Sequence, residues 1–330
     1  MTLDDFLREW NGPCEWTEIH TSGSTGQPKL IRVEKQRMKE SARITCNFLG
    51  LEKGNTALLC LPLEYIAGKM MVVRSVERGL KLHCVPPTSH PLLSDSLPQQ
   101  IDLCAMVPLQ VSHSLESEEE RKRLNGIRHL LIGGGSIHPS LEVQLRTMPN
   151  HIWSTYGMTE TLSHIALRKI NGSDASLWYR PFDGVTVELN PQGCLSIHAP
   201  NICPEVLHTN DRAELRQKDG HTEFRILGRI DNVIASGGIK IQMEEVENLL
   251  TPHLRHPFMI TKCSDASLGE TVVMLTESHS IDKIETICRN VLPRHWQPRK
   301  FIIVKNIPTT PNGKPARAEA LKIAQKSANT

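Results

Sequence analysis

Three runs of strand-forming residues in this chain stop at segments dense in glycine and hydroxyl side chains, and that arrangement narrows the fold more than any other feature. Residues 16–20 run into Thr21-Ser22-Gly23-Ser24-Thr25-Gly26-Gln27-Pro28-Lys29, residues 127–132 into Gly133-Gly134-Gly135, and residues 151–155 into Tyr156-Gly157-Met158-Thr159-Glu160. Helical stretches lie between them: one over 34–51, closed by Gly50 or Gly54, and one over about 67–78, stopped at Gly79. Strand candidates at 30–33, 57–61 and 81–85 complete the alternation. Strands that end in glycine-rich loops and alternate with helices predict an α/β sheet with its site at the strand ends.

From about Asp183 the pattern changes. Short strands are expected at 185–189, 193–198 and 223–227, separated by turn signals such as Pro191-Gln192-Gly193 and Lys218-Asp219-Gly220. After Gly228-Arg229-Ile230-Asp231 the sequence predicts a helix over 243–250, strands at 258–262 and 271–276, a helix over 281–291 and a strand at 301–304. A length of 330 residues favours two domains. The boundary is placed at Asp231, giving a large α/β domain over 1–230 with a small β-rich subdomain, and a small α+β domain over 231–330.

Composition excludes several classes. Lys+Arg total 38 against Asp+Glu 36, and aromatics are 4%, which argues against a nucleic-acid-coating surface or base-stacking platforms. The longest apolar stretches, at 56–63 and 70–73, fall far short of the roughly 20 residues that span a bilayer, so no membrane partner is expected. The start, Met1-Thr2-Leu3-Asp4-Asp5, lacks the basic and apolar regions of a signal peptide. Nine cysteines are scattered without a close pair, so neither a zinc ribbon nor a disulfide framework is indicated and a reducing cytoplasm is expected.

Binding phosphate takes backbone N–H groups free to point at one spot, hydroxyl donors and a cation. Gly23 and Gly26 give that freedom, Thr21, Ser22, Ser24 and Thr25 the hydroxyls, and Lys29 the charge. The glycine spacing is not that of a Walker loop, and by composition alone a solvent-exposed loop fits as well. The ordered string, however, resembles the phosphate-binding signature of the adenylate-forming superfamily, which includes acyl-CoA synthetases, peptide-synthetase adenylation domains and luciferases. Further resemblances follow in that family's order. Tyr156 to Glu160 is similar to its central motif, and Thr209-Asn210-Asp211 to its ribose-binding motif, with Asn210 in place of a glycine. Gly228 to Asp231, with Ser236-Gly237-Gly238 and Glu244-Glu245-Val246-Glu247, is similar to the hinge motif. Pro311-Asn312-Gly313-Lys314 with Arg317 is similar to the catalytic-lysine motif. Two segments, Leu61-Pro62-Leu63-Glu64-Tyr65-Ile66-Ala67-Gly68 with Arg74, and Tyr156 continuing to His164, resemble the o-succinylbenzoate–CoA ligases of menaquinone synthesis.

The resemblance implies an adenylate-forming enzyme fold with a mobile C-terminal domain. Only twenty residues precede Thr21, so much of the family's usual first subdomain is lacking. It implies ATP, Mg²⁺ and coenzyme A, with an acid activated as its adenylate and then transferred to the thiol. Thr21 to Gly26, Lys29, Gly133, Gly134, Gly135, Tyr156, Asp211 and Arg229 are then candidates for ATP binding, and Thr159, Glu160 and Lys314 for catalysis, with Glu160 also the metal ligand. Asp231 becomes the hinge, and Gly237 and Gly238 the lining of the coenzyme A tunnel. Arg74, Lys69 and Ser163 are candidates for the acid pocket. A homo-oligomer is left open. Each residue also has a plainer reading. Glu160 could be a solvated carboxylate at a helix start, the glycine triplet a turn, and Asp211 a loop carboxylate paired with Arg212. Asp231 could be a cap or a partner of Arg229, Lys314 the end of a hairpin turn, and Arg74 half of a surface pair with Glu77.

Overall fold

The computed structural model describes residues 1–20, 30–310 and 315–328. Helix α1 (Leu3–Asn11) starts at Thr2, whose hydroxyl accepts from the Asp5 N–H at 3.1 Å while the Asp5 carboxylate accepts from the Thr2 N–H at 3.1 Å. It buries Phe6 and Trp10. Strands β1 (Trp16–His20) and β2 (Leu30–Glu34) pair antiparallel. Then come α2 (Lys35–Phe48), β3 (Thr56–Leu59), α3 (Ile66–Arg78), β4 (Lys81–Cys84), β5 (Ile101–Met106), α4 (Pro108–Glu116), α5 (Glu118–Asn125), β6 (Ile127–Ile132), α6 (Pro139–Leu145), β7 (His151–Met158), β8 (Ser163–Lys169) and β9 (Arg180–Pro181).

These strands build a seven-stranded sheet in the order β4-β3-β5-β6-β7-β8-β9, parallel from β4 to β7 and antiparallel beyond. Its parallel strands are covered on both faces, and so read as nearly unbroken apolar runs: Leu58, Cys104, Leu130, Ile132 and Ile152 all lie in one buried cluster. Helix α3 ends at Gly79, whose left-handed backbone (φ +68°) suits a residue without a side chain.

The sequence expectation needs two corrections here. Strand β7 continues through Tyr156, Gly157 and Met158, so the motif begins inside a strand, and no helix starts at Glu160. Gly157 sits at a register shift where a Cβ would lie 2.1 Å from the Ser163 carbonyl oxygen. Strand β5 and helices α1 and α4 to α6 were not expected; they are short, and Asp102 interrupts the apolar run of β5.

Next in the chain are β10 (Thr186–Leu189), β11 (Cys194–Ala199), β12 (Cys203–Lys218) and β13 (His221–Arg229), ordered β10-β11-β12-β13. Strand β12 carries Thr209-Asn210-Asp211 within it, so Asp211 is a strand residue and not a loop carboxylate. The remaining elements are β14 (Val233–Ser236), β15 (Ile239–Gln242), α7 (Met243–Leu250), β16 (Phe258–Asp265), β17 (Gly269–Thr276), α8 (Ile281–Val291), β18 (Lys300–Ile303) and α9 (Arg317–Ala328). They form a sheet ordered β15-β14-β17-β16 with β18 parallel to β17, over a core of Ile234, Ile241, Val246, Ile260 and Met274.

The chain divides into two compact units. The first comprises Met1–Glu188, Ser196–His208 and Leu215–Arg225; the second comprises Leu189–Leu195, Thr209–Glu214 and Ile226–Thr330. Among the described residues no helix is long and apolar enough to cross a membrane.

Candidate active site

In the first unit, the backbone of α3 packs hard against the segment before it. A Cβ at Gly68 would lie 2.2 Å from the Pro62 carbonyl oxygen, so only glycine lets the helix start there. Six residues on, Arg74 is 2% exposed. Its Nη2 donates to Ser163 Oγ at 2.6 Å, its Nη1 reaches only the Met71 thioether at 3.9 Å, and its Nε is buried without a partner. Among the described residues no carboxylate pairs with it. Burial pulls the guanidinium down to about 10. The plainer Arg74–Glu77 reading does not hold: Glu77 faces Arg43 at 3.6 Å. Lys69 is not brought to Arg74 and Ser163. Its ammonium donates to the Glu18 carbonyl at 2.7 Å and lies 5.4 Å from the centre of the Phe6 ring, beneath α1 and β1.

Behind Ser163 the polar contacts continue. Ser163 Oγ lies 3.1 Å from His164 Nδ1, His164 Nε2 lies 3.1 Å from Thr45 Oγ1, and Thr45 Oγ1 donates to the Ser41 carbonyl at 3.1 Å. Burial, with Arg74 close by, holds the imidazole well below its usual range, so it is neutral. Phe182 packs its ring edgewise at 5.6 Å and fixes the plane of His164. Thr45 was not singled out from the sequence. The available signal was a polar residue on the buried stripe of α2, alongside Met38, Ala42 and Cys46.

The β7–β8 turn carries Thr159, which is buried, and Glu160, which is exposed. Leu162 holds a left-handed backbone (φ +58°), uncommon for a branched side chain. The turn is pinned around it: the Leu162 N–H donates to the Thr159 carbonyl at 3.0 Å, and the Met158 N–H donates to Thr161 Oγ1 at 2.9 Å. Beside it, β6 runs into Gly133, where a Cβ would meet Thr155 Oγ1 at 2.3 Å, and Gly134, which needs φ +79°. Tyr156 stands in an aromatic cluster, with ring centres 5.0 Å from Phe224 and 5.8 Å from Tyr179. Among the described residues no group of three or more His, Cys, Asp or Glu forms a metal cage. A single exposed carboxylate such as Glu160 suits Mg²⁺, which keeps its waters and phosphate oxygens as ligands.

In the second unit, Arg229 bridges two carboxylates, donating to Asp211 Oδ1 at 3.2 Å and to Asp231 Oδ2 at 2.9 Å. Asn210 also donates to Asp231, at 3.0 Å. Asp211 is therefore paired with Arg229 and not with Arg212, which instead reaches Gln242 at 3.4 Å. Asp231 lies in a single 3₁₀ turn, Ile230–Asn232, as a partner of Arg229. Gly237 and Gly238 form a two-residue turn between β14 and β15, both with positive φ (+56° and +82°), the geometry glycine pairs adopt in tight hairpins.

The acidic and basic parts of two C-terminal motifs meet in an ion pair. Arg317 grips Glu247 with two contacts of 2.6 Å, and adds a 2.8 Å bond to the Ile260 carbonyl. This fastens α9 to α7 and β16. Glu247→Gln should destabilise the second unit by about 3 kcal/mol, the low end for a broken buried pair, because the two side chains stay 21% and 20% exposed. A denaturant melt checks this, and an unshifted midpoint would make the pair ornamental. Thr21 to Gly26, Lys29 and Lys314 lie outside the described residues.

Comparison with known proteins then places the chain. The family model described as AMP-binding enzyme matches residues 17–191, more than half of the sequence, and the chain belongs to that family. The 2-succinylbenzoate–CoA ligase of Bacillus mycoides (strain KBAB4) is 25% identical to it over 342 residues, covering 94% of this chain and 70% of its own length. An acyl-CoA synthetase (AMP-forming)/AMP-acid ligase II-like protein from Dyadobacter fermentans DSM 18053 is 31% identical, with a TM-score of 0.65 and coverage of 96% of this chain and 92% of its own. The o-succinylbenzoate coenzyme A synthetase of Bacillus subtilis, solved with ATP and a magnesium ion, superposes with a TM-score of 0.75 at 22% identity over 92% of this chain and 69% of its own. The fold is the adenylate-forming one.

Proposed function

We propose that this chain is an o-succinylbenzoate–CoA ligase of menaquinone biosynthesis, working in the cytoplasm. The observation that carries the reading is Arg74, a buried guanidinium bonded to Ser163 and a thioether with no carboxylate partner among the described residues. A buried cation costs several kcal/mol unless an anion joins it. A dianionic acid supplies one: one carboxylate reacts, and the other stays behind and needs a fixed counter-charge. The names of the Bacillus mycoides and Bacillus subtilis proteins point to the same acid. Nine free cysteines fit a reducing compartment.

The reaction has two halves. The acid's reactive carboxylate attacks the α-phosphorus of ATP and expels pyrophosphate. The thiol of coenzyme A then attacks the acyl carbon and expels AMP. In this reading Thr21 to Gly26 and Lys29 hold the phosphates, Gly133 to Gly135 and Tyr156 take the adenine, and Asp211 accepts from the ribose hydroxyls with Arg229 beside it. Thr159 donates its hydroxyl to phosphate, and Glu160 holds Mg²⁺, which when bound offsets phosphate charge. Lys314 brings an ammonium to the adenylation transition state. Asp231, at the start of the domain over 231–330, serves as the pivot between the half-reactions, and Gly237 and Gly238 face the thiol's path.

In a pyrophosphate-release screen across aryl and dicarboxylic acids, o-succinylbenzoate should give the strongest signal, and added coenzyme A should convert the adenylate to a thioester. Equal turnover of acids with a single carboxylate would overturn the assignment.

A further inference from the structure

We propose that His164 and Thr45 are positioning residues of the acid site: a one-way chain of hydrogen bonds through them fixes the Ser163 hydroxyl as an acceptor for Arg74, so that the guanidinium's other donors are held ready for the acid's second carboxylate. The inference rests on the reading of the substrate as a dianionic acid.

The direction of the chain follows from proton counting. A hydroxyl has one proton, and Thr45 gives its own to the Ser41 carbonyl at 3.1 Å, one turn back on α2. Towards His164 Nε2, at 3.1 Å, Thr45 Oγ1 is therefore an acceptor, and Nε2 carries the hydrogen. In a neutral imidazole the other nitrogen is then bare, so His164 Nδ1 accepts from the Ser163 hydroxyl at 3.1 Å. Ser163 has no proton left to turn towards Arg74. Its lone pairs face Nη2 at 2.6 Å, and a donor cannot be set against a donor.

The residues come from three elements. Thr45 lies on α2, Arg74 on α3, and Ser163 with His164 on β8; all belong to the first unit. Thr45 and Arg74 are 0% and 2% exposed, and His164 is 7%. A buried polar chain of this kind gains nothing over apolar packing unless every member is satisfied. Here every link is satisfied except the last. Arg74 keeps a buried Nε without a partner, and its Nη1 meets only sulfur. The chain thus ends at an arginine whose Nε and Nη1 still lack an oxygen partner among the described residues, a donor surplus that a carboxylate would satisfy.

The test is steady-state pyrophosphate release by the full chain, with o-succinylbenzoate and with an aryl keto-acid lacking the second carboxylate. His164→Phe and Thr45→Val each keep the shape and break the chain. Both should raise the KM for o-succinylbenzoate about tenfold, the scale of one lost hydrogen bond. The KM for ATP and the weak turnover of the mono-acid should stay within about twofold. His164→Asn, whose amide oxygen takes the place of Nδ1, and Thr45→Ser should recover the parent KM to within about threefold. Losses that strike both acids equally, or His164→Asn and Thr45→Ser doing no better than the disruptive pair, would make the chain a packing feature. Unchanged kinetics in His164→Phe and Thr45→Val would overturn the inference alone. A parent protein that releases no pyrophosphate with o-succinylbenzoate would overturn the substrate reading and this inference with it.

Discussion

Lys314→Ala should slow acyl-adenylate formation by at least about a hundredfold, about 3 kcal/mol of transition-state stabilisation, and leave thioester formation from pre-made adenylate much less changed. Adenylation drives a carboxylate towards a polyphosphate, so negative charge gathers where the new bond forms. An ammonium placed there acts most strongly in the transition state. The second half-reaction expels AMP from an acyl carbon and has no such crowding. The residues that flank 311–314 are paired: Thr309 bridges Pro315, the Ala316 N–H donates to the Pro308 carbonyl at 3.0 Å, and Arg317 is bonded to Glu247. Single-turnover assays of each half-reaction decide the matter. Equal losses in both would remove the division of labour.

Arg74→Ala should lower kcat/KM for o-succinylbenzoate by about ten- to a hundredfold, equivalent to a charge-assisted contact of about 1.5–3 kcal/mol. The apparent affinity for ATP should hardly move. An acid without the second carboxylate should be indifferent to the change. Arg74→Met, which keeps most of the volume and removes the charge, should show the same kinetic loss with no fall in melting temperature, because the parent guanidinium has no counter-ion among the described residues to lose. Loss of both acids together, or of ATP binding, would make Arg74 structural.

Much of this fold is legible in the sequence, and the failures have physical causes. The end of α3 at Gly79 and the span of α8 follow from a left-handed stop and a clean amphipathic period. The face of α3 that carries Arg74 does not, because Met70, Met71, Val72 and Val73 bury it all round and leave no polar side to set the phase. A surface pair with Glu77 is therefore as consistent with the sequence as a buried site, and it is the fold that gives Glu77 to Arg43. Strand β12 is hidden for the opposite reason: His208-Thr209-Asn210-Asp211-Arg212 reads as a polar loop, and only sheet pairing makes it extended. The chemistry proposed for Glu160, Asp211 and Arg229 follows from motif order, whereas the link between Thr45 and His164, 119 residues apart, exists only once three elements have packed.

One turn, between β7 and β8, carries Thr159 and Glu160 at its start and opens β8 with Ser163, Arg74's partner. In the proposed function, nucleotide chemistry and acid recognition therefore share five consecutive residues, with Leu162 in a constrained backbone between them. Arg74 sits on a separate helix. On that proposal, changes of substrate preference on α3 leave the nucleotide residues of the turn untouched, whereas replacement of the turn puts both at risk. A swap of acid specificity grafted from another enzyme should begin at 66–78 and treat 159–163 as one indivisible cassette.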